Sequence, residues 1–536
     1  MIFILHKYIF RELLRVFALA AIALTFILSL GSTLQPIQEF GAGPRQVISL
    51  MGYFLPITLT FVLPMAALFA GALVYGRFAS DNEIDACRAS GISLFTLVYP
   101  GLALAVIVTI ANLFLSFYVM PVFVHRAEKS LKADAKQIVF RNIQRKKYYA
   151  LPPDQRYLMY ADNVSMQNDT LAGVIIAEMK KSEIQRIVTA EAAKVTFNLN
   201  DRFNEVQILA IKPYQIGTED TGSAEYFTSA IEFGSLLGDS IQFKKINEMR
   251  KIQNDPMLFD PIAQQAYETY AQLYTELLAR DINARTKETS GNDGKRNFYE
   301  MIGEPNSVRF TANYCIARDD GQIDLIGDIE IIEYDTDSRQ TLHTLKCEEA
   351  SLNIEGDKLS PILTMDIHSS REDGTNQLRT SYIIRGLVPP NSVEAVASQF
   401  RTKSGSLKVH KLASKLSDLE PSKTLARQQF QLNWRVEKAL AQIKAEIHSR
   451  LVFGIGCIPM ILIGIGLGVF KKGGHLLSAF AASCLPAAVL VVCIMSGKQM
   501  TENIGARMIS GVTLMWAGLF FMIALTGALY HTLLKH

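Results

Sequence analysis

Six long apolar runs divide this chain, at roughly 13–34, 50–76, 95–124, 450–470, 475–497 and 506–531, and they limit its fold more than any other feature. Each reaches or exceeds the roughly 20 residues an α-helix needs to cross a bilayer. Inside hydrocarbon every backbone N–H and C=O must find a partner within the protein, so runs of this kind fold as helices. The first, RVFALAAIALTFILSLGSTL, follows Lys7, Arg11 and Arg15 as a secretory signal would. It is longer than a signal's apolar region and five similar runs follow, so it reads as a permanent span. A hydrophobic content of 49% and a mean hydropathy of +0.17 over 536 residues agree with a membrane protein carrying a large polar part.

An even number of spans puts both termini on one side, and Lys and Arg in the short loops choose which. Lys7, Arg11, Arg15, Arg77, Arg88, Lys471, Lys472 and Lys535 fall on the terminal side, against Arg45, Lys498 and Arg507 on the other. The bias places both termini in the cytoplasm and the long polar block between the third and fourth spans outside. A net charge of +3 without a basic, aromatic-interleaved stripe gives no sign of a nucleic-acid partner.

The chain divides accordingly. Residues 1–124 hold three spans, 125–243 a β-rich region, 244–304 a helical insert and linker, 305–400 a second β-rich region, 401–446 a helical connector and 447–536 three further spans. From about 138, RYLMYADNVS, LAGVIIAEMK, IQRIVTAEAAKVTFNLN and NEVQILAIKPYQIG read as short strands. Val206, Ile208 and Ala210 alternate with Gln207, Leu209 and Ile211, and neither face is plainly polar, which suits a sandwich or an open barrel with an apolar interior. In GQIDLIGDIEIIEY, Ile329 and Ile331 alternate with Asp328 and Glu330 as in a half-buried strand. Between these regions Tyr267, Tyr270, Tyr274 and Leu278 recur at helical spacing, which reads as packing, and TKETSGNDGKRN reads as a loop. FQLNWRVEKALAQIKAEIHSRL leads as an amphipathic helix straight into the fourth span. Cys315 and Cys347 lie outside, where a disulfide is chemically permitted; Cys87, Cys457, Cys484 and Cys493 lie in or beside spans as small hydrophobes.

Catalytic constellations are missing. The sequence has no phosphate loop, no H-E-x-x-H, no G-x-S-x-G and no C-x-x-C, so no catalytic residue, metal or cofactor is assigned. His343 and His368 read as strand or surface residues. Gly464 and Gly468 have the G-x-x-x-G spacing of closely packed membrane helices, and Pro56, Pro64 and Pro486 suggest kinks.

One polar stretch interrupts the apolar pattern on the cytoplasmic side, GRFASDNEIDACRASGIS at 76–93. Ser80 and Glu83 have the capping-box spacing and Gly91 suits a helix terminus, so a helix is expected over about 81–90. Ile84 and Cys87 share one face; Asp81, Asp85 and Arg88 lie largely on another. Two readings stand on physical grounds: a helix that fits a groove on a cytoplasmic partner, or a capped loop that joins two spans, with Asp85 and Arg88 forming a solvated pair.

This stretch resembles the coupling-helix segment of the LptF/LptG (YjgP/YjgQ) permeases of lipopolysaccharide export, with matches at Gly76, Arg77, Glu83, Ile84, Arg88, Ala89 and Gly91. EIHSRL, carrying Glu446, His448 and Arg450, is similar to the family's approach to the fourth span, and Lys471-Lys472-Gly473-Gly474 follows that span. The resemblance implies an α-helical membrane protein of six transmembrane helices, three plus three, with a large jelly-roll-like periplasmic domain. It also implies a non-catalytic subunit of an ATP-driven exporter, with ATP hydrolysis in a separate ABC ATPase. Glu83 would sit in the ATPase groove, flanked by Asp85 and Arg88.

The implied setting is the inner membrane of a Gram-negative-type bacterium, beside a second LptF/LptG-type permease, with lipopolysaccharide passed to periplasmic bridge proteins. Two departures stand out. The outer block is longer than one jelly roll, and its second β region resembles the repeating strands of bridge proteins. Residues 26–38 carry no basic side chain to meet substrate phosphates, which leaves Arg45 as the nearest candidate for substrate binding. The alternative is a non-transporting scaffold in which an ATPase moves a periplasmic partner through this chain.

Overall fold

The computed structural model describes the chain except residues 1, 41–43, 134, 151–156, 166–167, 181–182, 200–203, 218–220, 224–225, 234–239, 288–296, 319–320, 358–359, 373–377, 403–405, 415–420, 471–475, 504–506 and 536. It forms two units, Met1–Arg250 with Lys438–His536, and Lys251–Glu437.

The first unit opens with α1 (Ile2–Phe40), α2 (Pro44–Ser80), the short α3 (Glu83–Ala89) and α4 (Leu94–Phe114). A π-helical turn, Leu115–Val119, joins α4 to α5 (Met120–Ala133), and α6 (Ala135–Lys146) follows. Among the described residues six helices are long and apolar enough to cross a membrane: Phe3–Gly31, Met51–Ser80, Leu94–Ser130, Lys423–Phe470, Ala481–Glu502 and Ile509–Leu534. Each overlaps one of the six apolar runs. The fourth and fifth spans pack with the second through Leu68, Met460, Ile463, Leu490 and Ile494.

The first β region holds β1 (Tyr148–Ala150), β2 (Tyr157–Ser165), β3 (Thr170–Lys180), β4 (Glu183–Leu199), β5 (Asn204–Ile211), β6 (Tyr214–Gly217), β7 (Thr221–Ser223) and β8 (Tyr226–Phe233). Its antiparallel order is β1-β2-β3-β4-β5-β8, with β6 beside β4 and β7 beside β6. Consecutive strands pair from β1 to β5, a meander; a jelly roll sets non-consecutive strands side by side, and among these pairings β5 with β8 and β4 with β6 have that character. One correction falls at the start of the region. Residues 138–146, expected to begin the strands, are helical in α6, because Val139, Phe140 and Ile143 lie at helical spacing and bury together against the sheet. Met159, Leu171, Val174, Val195 and Ile208 meet them, and Tyr53 and Phe54 of α2 pack on the same cluster.

The second unit begins in α7 (Ile246–Asn254), which starts just before it, and continues with α8 (Asp260–Lys287). Its strands are β9 (Tyr299–Gly303), β10 (Asn306–Thr311), β11 (Tyr314–Ala317), β12 (Ile323–Asp335), β13 (Thr341–Asp357), β14 (Ser360–Glu372) and β15 (Leu378–Val388). The second β region therefore starts at Tyr299, inside the stretch read as linker, because Tyr299 and Met301 bury toward the core. The order β10-β9-β15-β14-β13-β12, closed by β10 on β12, makes a ring of six strands with β11 added beside β12. Closure leaves the ring without free edges. Tyr299, Phe310, Ile331 and Leu345 stand opposite one another on four successive strands and are all buried, which fixes the register of the alternating Ile329 and Ile331.

Helix α8 closes the remaining edge. The Asn283 side chain donates to the Cys315 carbonyl and accepts from its N–H, both at 2.9 Å, so β11 is held by a helix where a further strand would sit. Tyr270, Tyr274 and Leu278 are buried, Tyr267 half-buried, and Arg401 Nε donates to the Tyr270 hydroxyl at 2.7 Å, as packing requires. The TKETSGNDGKRN loop falls largely on 288–296, outside the described residues.

Short α9 (Asn391–Ala397) and α10 (Val409–Ser414) precede α11 (Lys423–Phe470), and the chain ends in α12 (Leu476–Glu502) and α13 (Arg507–Lys535). From Lys423 on, the connector and the fourth span are thus one uninterrupted helix, whereas 401–422 hold the separate α10.

Cys315 and Cys347 are both free thiols, so the permitted disulfide is not formed. Cys315 Sγ donates to the Ala279 carbonyl at 3.0 Å, and Cys347 stands opposite Ile329 within the ring. Burial pushes the Cys347 thiol up from 9.0 to about 11. Its neutral form is favoured by folding, so this contribution to stability is present below pH 9 and is lost as pH rises toward about 11. Maleimide labelling at neutral pH should leave native Cys347 unmodified for hours and modify it on unfolding; prompt native labelling would contradict its burial.

Candidate functional site

Two groups of side chains stand out, both within the first unit. Helix α3 occupies the polar stretch between α2 and α4. Ser80 is not its cap: Ser80 Oγ donates back to the Arg77 carbonyl at 2.8 Å as the last residue of α2. The residue before α3 is Asn82, in the left-handed region at φ 58° with no side-chain cap bond, so the capping-box expectation fails. The helix begins two residues later than expected because α2 runs on through Ser80. Its end does follow the expectation. Gly91 has φ +82°, its N–H donates to the Arg88 carbonyl at 2.9 Å, and the Ile92 N–H donates to the Cys87 carbonyl at 3.0 Å. This is the Schellman arrangement, which favours glycine because a Cβ is strained at that φ.

The motif residues separate by role. Gly76 is buried where α2 meets α11, and Arg77 pairs with Glu12 of α1 at 3.0 Å. Ile84 is buried among Ile9, Tyr75 and Phe78, with Cys87 packed beside it. Glu83, Arg88 and Ala89 are exposed and Asp85 is partly exposed. Glu83 borders a small cleft with Tyr8, Tyr75, Ile84 and Leu97. One apolar side fixes the helix to the spans, and an opposite charged side is presented to solvent. Seven residues cannot hold a helix by propensity, so its position comes from Ile84 and the two ends. Glu12 was not singled out from the sequence; the signal was an acid set among the basic residues that precede the first span.

The second group lies in α11. Glu446 and Arg450, one helical turn apart, are both buried and meet at 2.8 Å. Lys498 of α12 reaches the other Glu446 oxygen at 2.6 Å. Arg450 also donates to the Ser116 carbonyl in the π-helical turn at 2.9 Å and to the Gln242 carbonyl at 2.7 Å. Its guanidinium lies over the Phe117 ring, 5.6 Å from the centroid. His448 points elsewhere, its Nδ1 accepting from Trp516 Nε1 at 3.3 Å, so the EIHSRL residues form no single cluster. Lys498 entered the sequence reading only as a topology-setting charge. The Arg45 side chain and Lys471–Gly474 lie outside the described residues, as does any contact they make. Among the described residues no three His, Cys, Asp or Glu side chains are placed to hold a metal ion.

Between these groups, spans two and four touch through glycine. A Cβ on Gly464 would lie 2.9 Å from the Leu68 carbonyl oxygen, and one on Gly468 2.7 Å from that of Ala72. The G-x-x-x-G spacing therefore marks a helix contact.

No curated protein matches the chain. The family profile described as Lipopolysaccharide export system permease LptF/LptG matches residues 7–250 and 302–532. The match takes in every span, α3, both ends of the Glu446–Lys498 group and nearly all of the second β region, and it omits 251–301, where α8 lies. With six apolar helices and two strand-rich regions described above, a match over most of its length establishes that this chain belongs to the LptF/LptG family, the permease subunits of lipopolysaccharide export.

Proposed function

We propose that this chain is the permease half of an ATP-driven exporter, coupled to a separate cytoplasmic ATPase through α3. The observation that carries the reading is the division of α3 into a buried anchor, Ile84, and an exposed face holding Glu83, Arg88 and Ala89. A helix fixed on one side and charged on the other transmits a push to the spans it rests on. In this reading Glu83 enters a groove of the ATPase and Arg88 and Asp85 flank it. The Lys and Arg distribution supports cytoplasmic termini and a periplasmic position for both β regions.

The spans then form one wall of a cavity beside a second permease of the same family in the inner membrane. Lipopolysaccharide leaves the outer leaflet by that cavity and passes through the β domain to periplasmic bridge proteins. The cluster that joins Tyr53 and Phe54 of α2 to the apolar face of the β1–β8 sheet supports an apolar route in that direction.

One observation favours the scaffold reading. The apolar face of that sheet is occupied by α6 rather than open. Lipid recovered with the purified chain separates the two, since a scaffold carries none.

Coupling is tested by purification from native membranes. Wild type is expected to bring down an ATPase and lipopolysaccharide; Glu83→Lys should lose the ATPase by about tenfold or more, the scale of a lost charge-assisted contact replaced by a like charge. An ATPase retained at wild-type level by the charge reversal would return α3 to a simple connecting helix.

A further inference from the structure

Lys498 belongs to none of the motifs read from the sequence, yet it completes a buried charged group in the membrane half. Glu446 is shared between Arg450 at 2.8 Å and Lys498 at 2.6 Å, with side-chain exposures of 8%, 4% and 29% in that order. With Lys498 holding one carboxylate oxygen, the guanidinium uses its remaining donors on backbone carbonyls: Ser116 at 2.9 Å, Gln242 at 2.7 Å and Lys244 at 3.5 Å.

These carbonyls are not arbitrary points. Ser116 lies in the π-helical turn of the third span, where the backbone pattern departs from the α-helix. Such turns are frequent at functional sites in helices. Gln242 and Lys244 lie on the segment by which the chain leaves for Lys251–Glu437, and Glu446 lies on the helix by which it returns. Both chain crossings are therefore tied to the third and fifth spans by one carboxylate and two cations.

A buried group of this kind adds little stability over an apolar replacement of equal volume, but its directional bonds specify one arrangement. We propose that Lys498 is a positioning residue for export: through Glu446 it orients Arg450, and the joint so formed carries movement of the spans into the two crossings. The role rests on the export reading above, and it assigns no substrate contact to Lys498.

The test uses the complete complex with its ATPase in vesicles loaded with lipopolysaccharide, and reads lipid released per ATP hydrolysed. Lys498→Gln is expected to lower that ratio about tenfold, the scale of one lost close ion pair within the protein. Lys498→Arg should restore most of it. Glu446→Gln combined with Lys498→Gln should lower it no further than Glu446→Gln alone, because Lys498 acts through that carboxylate. A wild-type ratio in Lys498→Gln overturns the role, as does a loss of lipid release in step with loss of assembly and ATP hydrolysis, which marks a structural defect only. Failure of the wild type to release lipid overturns the export reading itself, and the role with it.

Discussion

Glu446→Ala is expected to destabilise the membrane half by about 3–5 kcal/mol, the cost of removing one partner from a buried charged group. The substitution leaves Arg450, 4% exposed, and Lys498 facing each other without an anion. Lys498 is 29% exposed and relieves part of the repulsion by turning outward; Arg450 has no such freedom and keeps only its carbonyl acceptors. Glu446→Gln retains an acceptor and should cost less. The measurement is the unfolding midpoint of the detergent-solubilised protein. A shift of under about 0.5 kcal/mol, the scale of an exposed pair, would show that water reaches the group.

Gly468→Leu is expected to separate the second and fourth spans. A Cβ at this position would stand 2.7 Å from the Ala72 carbonyl oxygen and 3.0 Å from the Gly76 nitrogen, so backbone, which cannot rotate aside, must move. Gly468→Ala alone should cost about 1–3 kcal/mol, the range for overpacking, and leucine more. Lipid supplies no hydrophobic force to close the gap again, because the helix contact depends on close approach. Gly76 leads directly into Arg77, so the displacement should also disturb the Glu12 pair and α3. Gly527→Ala, with nothing within 4 Å of its Cβ, is the control and should behave as wild type. Equal yields of folded protein from both variants would contradict the contact.

The α3 segment shows where sequence reading succeeds and where it stops. Gly91 was legible because a positive φ at a helix end selects one residue type, and Ile84 because it shares a face with Cys87 while the charged residues lie largely on another. Ser80 misled because capping-box spacing carries no information about whether the preceding helix has already ended. At 138–146, Val139, Phe140 and Ile143 fit a helix, but β-branched and aromatic residues beside genuine strands drew the same stretch into the sheet. Cys315 and Cys347 fall in the same block of sequence, while their positions on β11 and β13 give each a different neighbour.

By itself, the sequence determined the six spans, the β-rich block between the third and fourth of them, the helix between the second and third spans and the family to which these belong. These are properties of local composition and period: a bilayer requires length and apolarity, and a strand or a short amphipathic helix declares itself over a few residues. Only the tertiary structure decided that β9, β10 and β12–β15 close into a ring, that α8 takes the place of a strand beside β11, and that α6 covers the first sheet. It alone brought Lys498 to Glu446 and Ser116 to Arg450, pairs separated by tens to hundreds of residues. Such contacts depend on how helices and strands are placed in space, and no period along the chain encodes that placement.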